Sequence, residues 1–276
     1  MATTLIEAWN GIVAKYDPHT IIFAGHAAIT ITFWWIPCIV FFSLDYILPS
    51  FAARHKMQSL AKQPTMKEAL HGATVAFRND ILSIPLYAAL AYLSSSKDGV
   101  PAVRVATKLP SLTEFAFEFV LAFALREMLF YYGHRLFHWK PLFRRFHKIH
   151  HEFSTPIAIA SKYAHPVEYL TADSLPVILP PLLLRVHVVS MWAYLAAVLF
   201  SSTVIHSGFD FFYKSARMHD RHHEGAMNIY YGAFGAFGMM DWIHGTVEKR
   251  QAKTAIHFNE DIFGPRDKGT VEKTQL

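Results

Sequence analysis

Eight histidines stand at spacings that build a metal site. His134 and His138 form an H-x3-H pair; His147, His150 and His151 form H-x2-H-H; His219, His222 and His223 repeat that pattern. Five of the chain's 17 histidines fall within residues 134–151, where even scattering would put about one. Residues i, i+3 and i+4 share one face of a helix. Each run therefore offers a two-imidazole clamp, and the H-x2-H-H runs carry a spare or bridging third ring. Eight imidazoles are more than one ion takes, which argues for two. Imidazole suits iron, zinc, copper or nickel. A thiolate site is excluded, because Cys38 is the only cysteine. The zinc-protease pattern H-E-x-x-H opens at His151-Glu152 and His223-Glu224, but Thr155 and Met227 stand where its second histidine belongs. A G-x-S-x-G elbow, a P-loop and a dinucleotide glycine fingerprint are absent. A cysteine-poor, histidine-rich pair of sites at a bilayer surface fits dioxygen activation by iron, although spacing does not separate iron from zinc. Taken singly, His19, His26, His55, His71 and His257 read as surface residues at a membrane interface. His187 reads as a lone polar residue at a turn, and His244 is left open.

The elements that must position these rings are apolar. Of 276 residues, 53% are hydrophobic and 17% charged, against roughly a quarter charged in ordinary soluble domains. Disorder is excluded by that apolar content, and a disulfide scaffold by the single cysteine. No cleavable leader is evident in residues 1–20. Membrane spans are expected at about 21–48, 70–93 and 112–132, with a bent hairpin over 169–205 broken by Pro176, Pro180 and Pro181. Arg78, Asn79 and Asp80 interrupt the second span, which is expected to begin late or lie partly in the interface. Basic stretches at 52–69, 134–163 and beyond 209 fall on one side, the cytosolic one by the positive-inside rule. The expected fold is all-α: an integral membrane helical bundle with a cytosolic-facing, histidine-rich di-metal domain. An N-terminal membrane region takes residues 1–110 and the catalytic domain 111–276. The net charge of +5 follows from that topology, and no nucleic-acid partner is expected.

These motifs carry a resemblance. HRLFH at 134–138, HKIHH at 147–151, YAHPVE at 163–168, HSGFDF at 206–211, HDRHH at 219–223 and DWIHGT at 241–246 resemble the membrane fatty acid hydroxylase/sterol desaturase superfamily. Within it they are most similar to the C-4 methylsterol monooxygenases. The resemblance implies that the eight box histidines, with His165 and His206, ligate two iron ions. Glu168, Asp210, Asp220 and Asp241 are then second-tier acceptors for the ligating rings. It also implies a membrane monooxygenase of the endoplasmic reticulum, with a sterol or triterpenoid substrate and electrons from NAD(P)H through cytochrome b5 or its reductase. Arg144, Arg145 and Lys148 offer a basic face for an acidic donor, though positive-inside topology explains them as well. Sterol desaturation, fatty acyl or triterpenoid hydroxylation, and metal binding without turnover remain alternatives. Two departures bear on substrate: Thr203-Val204-Ile205 replace an acidic residue before H-S-G, and Asn228-Ile229-Tyr230 interrupts the family's Asn-Tyr.

Overall fold

The computed structural model of the chain describes residues 2–225 and 238–246. Asn228-Ile229-Tyr230, His257 and the remaining tail lie outside the described residues. The described chain is helical, and its only extended pairings are two isolated bridges, Lys56 with Phe209 and Arg104 with His187.

Helix α1 spans Ala2–Lys15. Helix α2, Pro18–Thr30, starts at Asp17, whose carboxylate accepts the Thr20 amide at 3.0 Å. It continues through a π turn, Ile31–Trp35, into α3, Ile36–Ile47. The wider turn precedes Pro37, whose ring has no N–H and cannot fit a regular α ladder. A short α4, Pro49–His55, leads to α5, Met66–Ser94, launched by a capping box between Thr65 and Glu68. Helix α6 spans Leu112–Phe137 and α7 Lys140–Arg145. The turn α8, Pro166–Glu168, passes through a second π turn, Tyr169–Ser174, into α9, Leu175–Leu183. Helix α10 spans Val188–His206, α11 Tyr213–Glu224 and α12 Met239–His244.

The polar triplet does not interrupt α5. Asn79 is fully buried and donates to the Lys162 and Ala164 carbonyls at 2.8 and 3.1 Å; Arg78 also donates to Ala164, and Asp80 binds Lys162 at 2.6 Å. These bonds reach a loop that returns beside α5, so the helix runs unbroken from Met66 with Asn79 buried against that loop.

Both ends of the bundle are pinned. At one, Arg104 exchanges backbone bonds with Val186 and Val188, each 2.9 Å, and ion-pairs with Glu114 and Glu118. At the other, the Met57 amide donates to the Gly208 carbonyl at 2.9 Å. Helices α3, α6 and α10 run toward this second end, and the box histidines gather there. The core between the ends packs Trp9, Ile22, Tyr87, Phe123, Ile178, Tyr194 and Leu195 from α1, α2, α5, α6, α9 and α10. Ile36, Ile39 and Val40, with Phe77, Ile84, Phe117 and Val120, point outward. Such an apolar exterior suits lipid rather than water. Pro18–Ile47 and Val188–His206 are long and apolar enough to cross a bilayer, reaching about 45 and 28 Å at 1.5 Å per residue. The chain is an all-α membrane protein.

Candidate metal centre

Among the described residues, nine histidines converge in two adjoining groups: His134, His138, His147, His151 and His222 in the first, and His150, His206, His219 and His223 in the second. Within each group the donor atoms all lie within 4.8 Å of one another. Each H-x2-H-H run divides between the groups. His147 and His151 serve the first and His150 the second; His219 and His223 serve the second and His222 the first. The third ring is thus neither spare nor bridging. Helix geometry accounts for the division on α11. At about 100° per residue, i+4 lies about 40° to one side of i and i+3 about 60° to the other. The second run lies on a 3-10 turn, His147–Glu152. That turn stacks His147 over His150, ring centroids 5.4 Å apart at 19°, as expected where i and i+3 eclipse.

The donor atoms meet at ligand spacing. In the first group, Nε2 of His134 lies 3.1 Å from that of His147 and 3.2 Å from that of His138; His147 and His138 are 2.9 Å apart, and His151 and His147 3.1 Å. In the second, His206 and His219 approach to 2.6 Å, and His219 and His223 to 2.9 Å. Metal–imidazole bonds of about 2.0–2.1 Å hold neighbouring nitrogens about 3 Å apart at right angles. Three of the far ring nitrogens are anchored. Nδ1 of His147 donates to Glu168 at 2.5 Å, that of His150 to the Tyr163 carbonyl at 3.1 Å, and that of His206 to the Ser202 carbonyl at 2.9 Å. Each bond leaves the Nε2 lone pair facing inward. Burial also keeps the rings neutral. It pushes His150 down to about 4, His138 to about 3 and His151 to about 2, and holds His219, His222 and His223 well below the ordinary imidazole range. Neutral imidazole is the form that binds a metal. The residues fit a pair of metal ions.

The other expected site residues sit as follows. Glu168 backs His147. Asp210 binds His55 at 3.1 Å, Asp220 accepts from Gln58 at 2.9 Å, and Asp241 accepts from the Thr246 hydroxyl at 2.6 Å. His165 stands apart from both groups: its Nδ1 accepts the Val167 amide at 3.2 Å, capping α8, and its ring lies on Phe146. His187 caps α10, and His244 is held by Met240 and Tyr132.

A cavity of about 120 Å³ opens beside both groups, reaching His134, His147, His150, His206 and His219. Val177, Ile178, Leu195 and Val198 line its apolar part; Asp80, Arg126, Lys162 and Asp173 line its polar part, with His26 at the edge. Sequence reasoning missed this polar lining. Arg126 falls inside the expected 112–132 span and His26 read as a surface residue. Their only signal was an ionisable group in a membrane helix, which is a functional-site signal in its own right.

Residues 119–246 match the fatty acid hydroxylase family. The chain is 32% identical to human fatty acid hydroxylase domain-containing protein 2 over 76% of its own length and 64% of that relative's, and so spans less than two thirds of it. It is 25% identical to methylsterol monooxygenase 2-2 of Arabidopsis thaliana over 95% of this chain and 99% of the relative. It is 26% identical to very-long-chain aldehyde decarbonylase GL1-11 of Oryza sativa subsp. indica over 92% and 96%. No solved structure matches it. The histidine boxes, the helical membrane fold and these similarities agree: residues 119–246 of the chain form a fatty acid hydroxylase family domain.

Proposed function

We propose that the chain is a di-iron membrane monooxygenase that oxidises the C-4 methyl group of a sterol or related triterpenoid, using dioxygen and electrons from NAD(P)H through cytochrome b5 or its reductase. Family membership supports the coarser part, an oxidoreductase acting on lipid at a membrane. The observation that carries the finer part is the pair of all-imidazole groups bordering one cavity with an aliphatic wall. Nearly full-length similarity to a methylsterol monooxygenase supports the substrate class.

Bound iron would supply the oxidising power toward an unactivated C–H bond, which side chains lack. The protein's own share is position and dryness. His134, His138, His147, His151 and His222 would hold one ion and His150, His206, His219 and His223 the other, with Glu168 fixing the His147 ring. Val177, Ile178, Leu195 and Val198 give the adjoining cavity an apolar wall. The wall offers packing contacts to a lipid and none of the hydrogen bonds that would hold water there. The expected arrangement is multi-pass in the endoplasmic reticulum membrane with the histidine end cytosolic, where a soluble-faced electron donor has access. The competing reading keeps the same centre and changes the lipid to a fatty acyl chain or aldehyde, as the names of other relatives suggest.

A sterol profile tests it. The chain and a His150→Ala control are expressed in eukaryotic cells lacking their own C-4 demethylation. The reading requires 4-methyl and 4,4-dimethyl sterols to fall with the intact chain alone. Unchanged sterols in cells holding membrane-bound, iron-loaded protein would overturn the substrate assignment.

A further inference from the structure

The charged groups around the cavity are unequal. Asp80 takes Lys162 at 2.6 Å, the Trp35 indole at 3.0 Å and the Tyr169 hydroxyl at 3.1 Å, and Glu168 takes His147. Arg126 and Asp173 also line the cavity. Arg126 is 7% exposed, and its Nε and Nη1 are buried without a hydrogen-bond partner. Among the described residues neither forms an ion pair within 4.0 Å, with the other or with anything else. A buried guanidinium left with idle donors is costly unless something else takes them up. Its position says where that something lies. The guanidinium carbon stands 4.4 Å from the Phe130 ring centroid, and that ring is 5.4 Å from His134. A single aromatic ring therefore separates the guanidinium from the first histidine group.

We infer that Arg126 and Asp173 form a hydroxyl-binding subsite that holds the polar end of the lipid substrate, next to the carbon that is oxidised. A hydroxyl accepts from the guanidinium and donates to the carboxylate at once. A ketone or an ether can only accept. A carboxylate would suit Arg126 but meet repulsion from Asp173. The pair thus selects a neutral group that both donates and accepts, and the apolar remainder of the cavity takes the hydrocarbon body. The inference rests on the oxidation proposed above, and it narrows that substrate to a lipid with a free hydroxyl on the ring carbon next to the one that bears the reacting methyl.

Equilibrium binding to the purified full-length chain tests it without turnover. The probes are a tritiated 4,4-dimethyl-3-hydroxysterol, its 3-ketone, its 3-methyl ether, and palmitate. Loss of a hydrogen bond to a charged group predicts that the hydroxysterol binds about ten-fold or more tighter than the ketone or ether. Asp173→Ala should erase that preference while leaving ketone binding within about two-fold, whereas Arg126→Met, which removes the donor to either oxygen, should weaken hydroxysterol and ketone alike by about ten-fold. Equal binding of hydroxysterol and ketone by the intact chain overturns the subsite without recourse to any variant. So does a preference that survives in Asp173→Ala, hydroxysterol binding that is unchanged in Arg126→Met, or palmitate that binds more tightly than the hydroxysterol. Oxidised product, assayed in parallel, separates the two claims. Hydroxyl preference without product sinks the oxidation reading and leaves the subsite; product without hydroxyl preference does the reverse.

Discussion

Replacing Glu168 should weaken one metal position and spare the other. The Glu168 carboxylate lies 2.5 Å from Nδ1 of His147, and both side chains are buried. The bond fixes the His147 tautomer and raises the basicity of its Nε2, which meets the donors of His134, His138 and His151 at 2.9–3.1 Å. Loss of such a support typically costs 10–100-fold in metal affinity, or about 1.4–2.8 kcal/mol at 1.36 kcal/mol per decade. Glu168→Gln retains a neutral acceptor of the same shape. A charge-assisted bond is about twice as strong as a neutral one, so this variant should fall near the ten-fold end. Glu168→Leu leaves the buried Nδ1–H without an acceptor and should approach a hundred-fold. The assay is chelator titration of the purified, metal-loaded chain, with metal counted at each step. The variants should release one equivalent at lower chelator concentration and the second where the intact chain does. His150, His206, His219 and His223 do not touch Glu168, so parallel loss of both equivalents would refute the reasoning. So would a Leu variant that retains metal like the intact chain.

Two further outcomes follow from the same geometry. Gly208 has φ +76°, and a Cβ there would stand 2.8 Å from the Pro156 carbonyl oxygen. Gly208→Ala should lower thermal stability by about 1–3 kcal/mol, from the left-handed backbone and forced displacement together, whereas Gly11→Ala, which meets nothing within 4 Å, should not. The metal-free chain should lose stability as pH falls from 7 toward 4. Buried His150 is held down to about 4, while an unfolded imidazole takes its proton near 6.5. The unfolded state therefore binds more protons across that window and is favoured there. Thermal scans at pH 7.5, 6 and 5 check this, and an unchanged midpoint would contradict it.

The sequence carried the site's chemistry more completely than its geometry. Three clamps at helical spacing made a histidine metal site legible as an expectation, because i, i+3 and i+4 periodicity is a local property of the chain. How the rings divide was not legible. His150 joins α10 and α11 rather than its neighbours His147 and His151 only because those elements pack against the 3-10 turn, and packing is a tertiary fact. His206 was isolated in sequence and enters the second group through the end of α10. His165 matched a motif, yet its imidazole caps α8 instead. The carboxylates divide for the same reason. Glu168 faces a box ring across a turn, while Asp210 and Asp220 turn to His55 and Gln58 from the segment that follows α3. Asp80 and Lys162 each looked like a flaw in an apolar span or a surface charge. Their pairing across 82 residues is what allows both to lie beside the cavity. Of the expected spans, those matching Pro18–Ile47 and Val188–His206 are, among the described residues, long and apolar enough to cross a bilayer.

The most direct measurement of the central claim is metal stoichiometry by mass spectrometry on the purified chain, beside His222→Ala and His150→Ala. Two groups with divided boxes predict two iron ions per intact chain. His222→Ala should retain the ion of the second group, and His150→Ala that of the first. A single equivalent in the intact chain, or loss of both ions with equal ease in either variant, would contradict a two-metal centre built in this way.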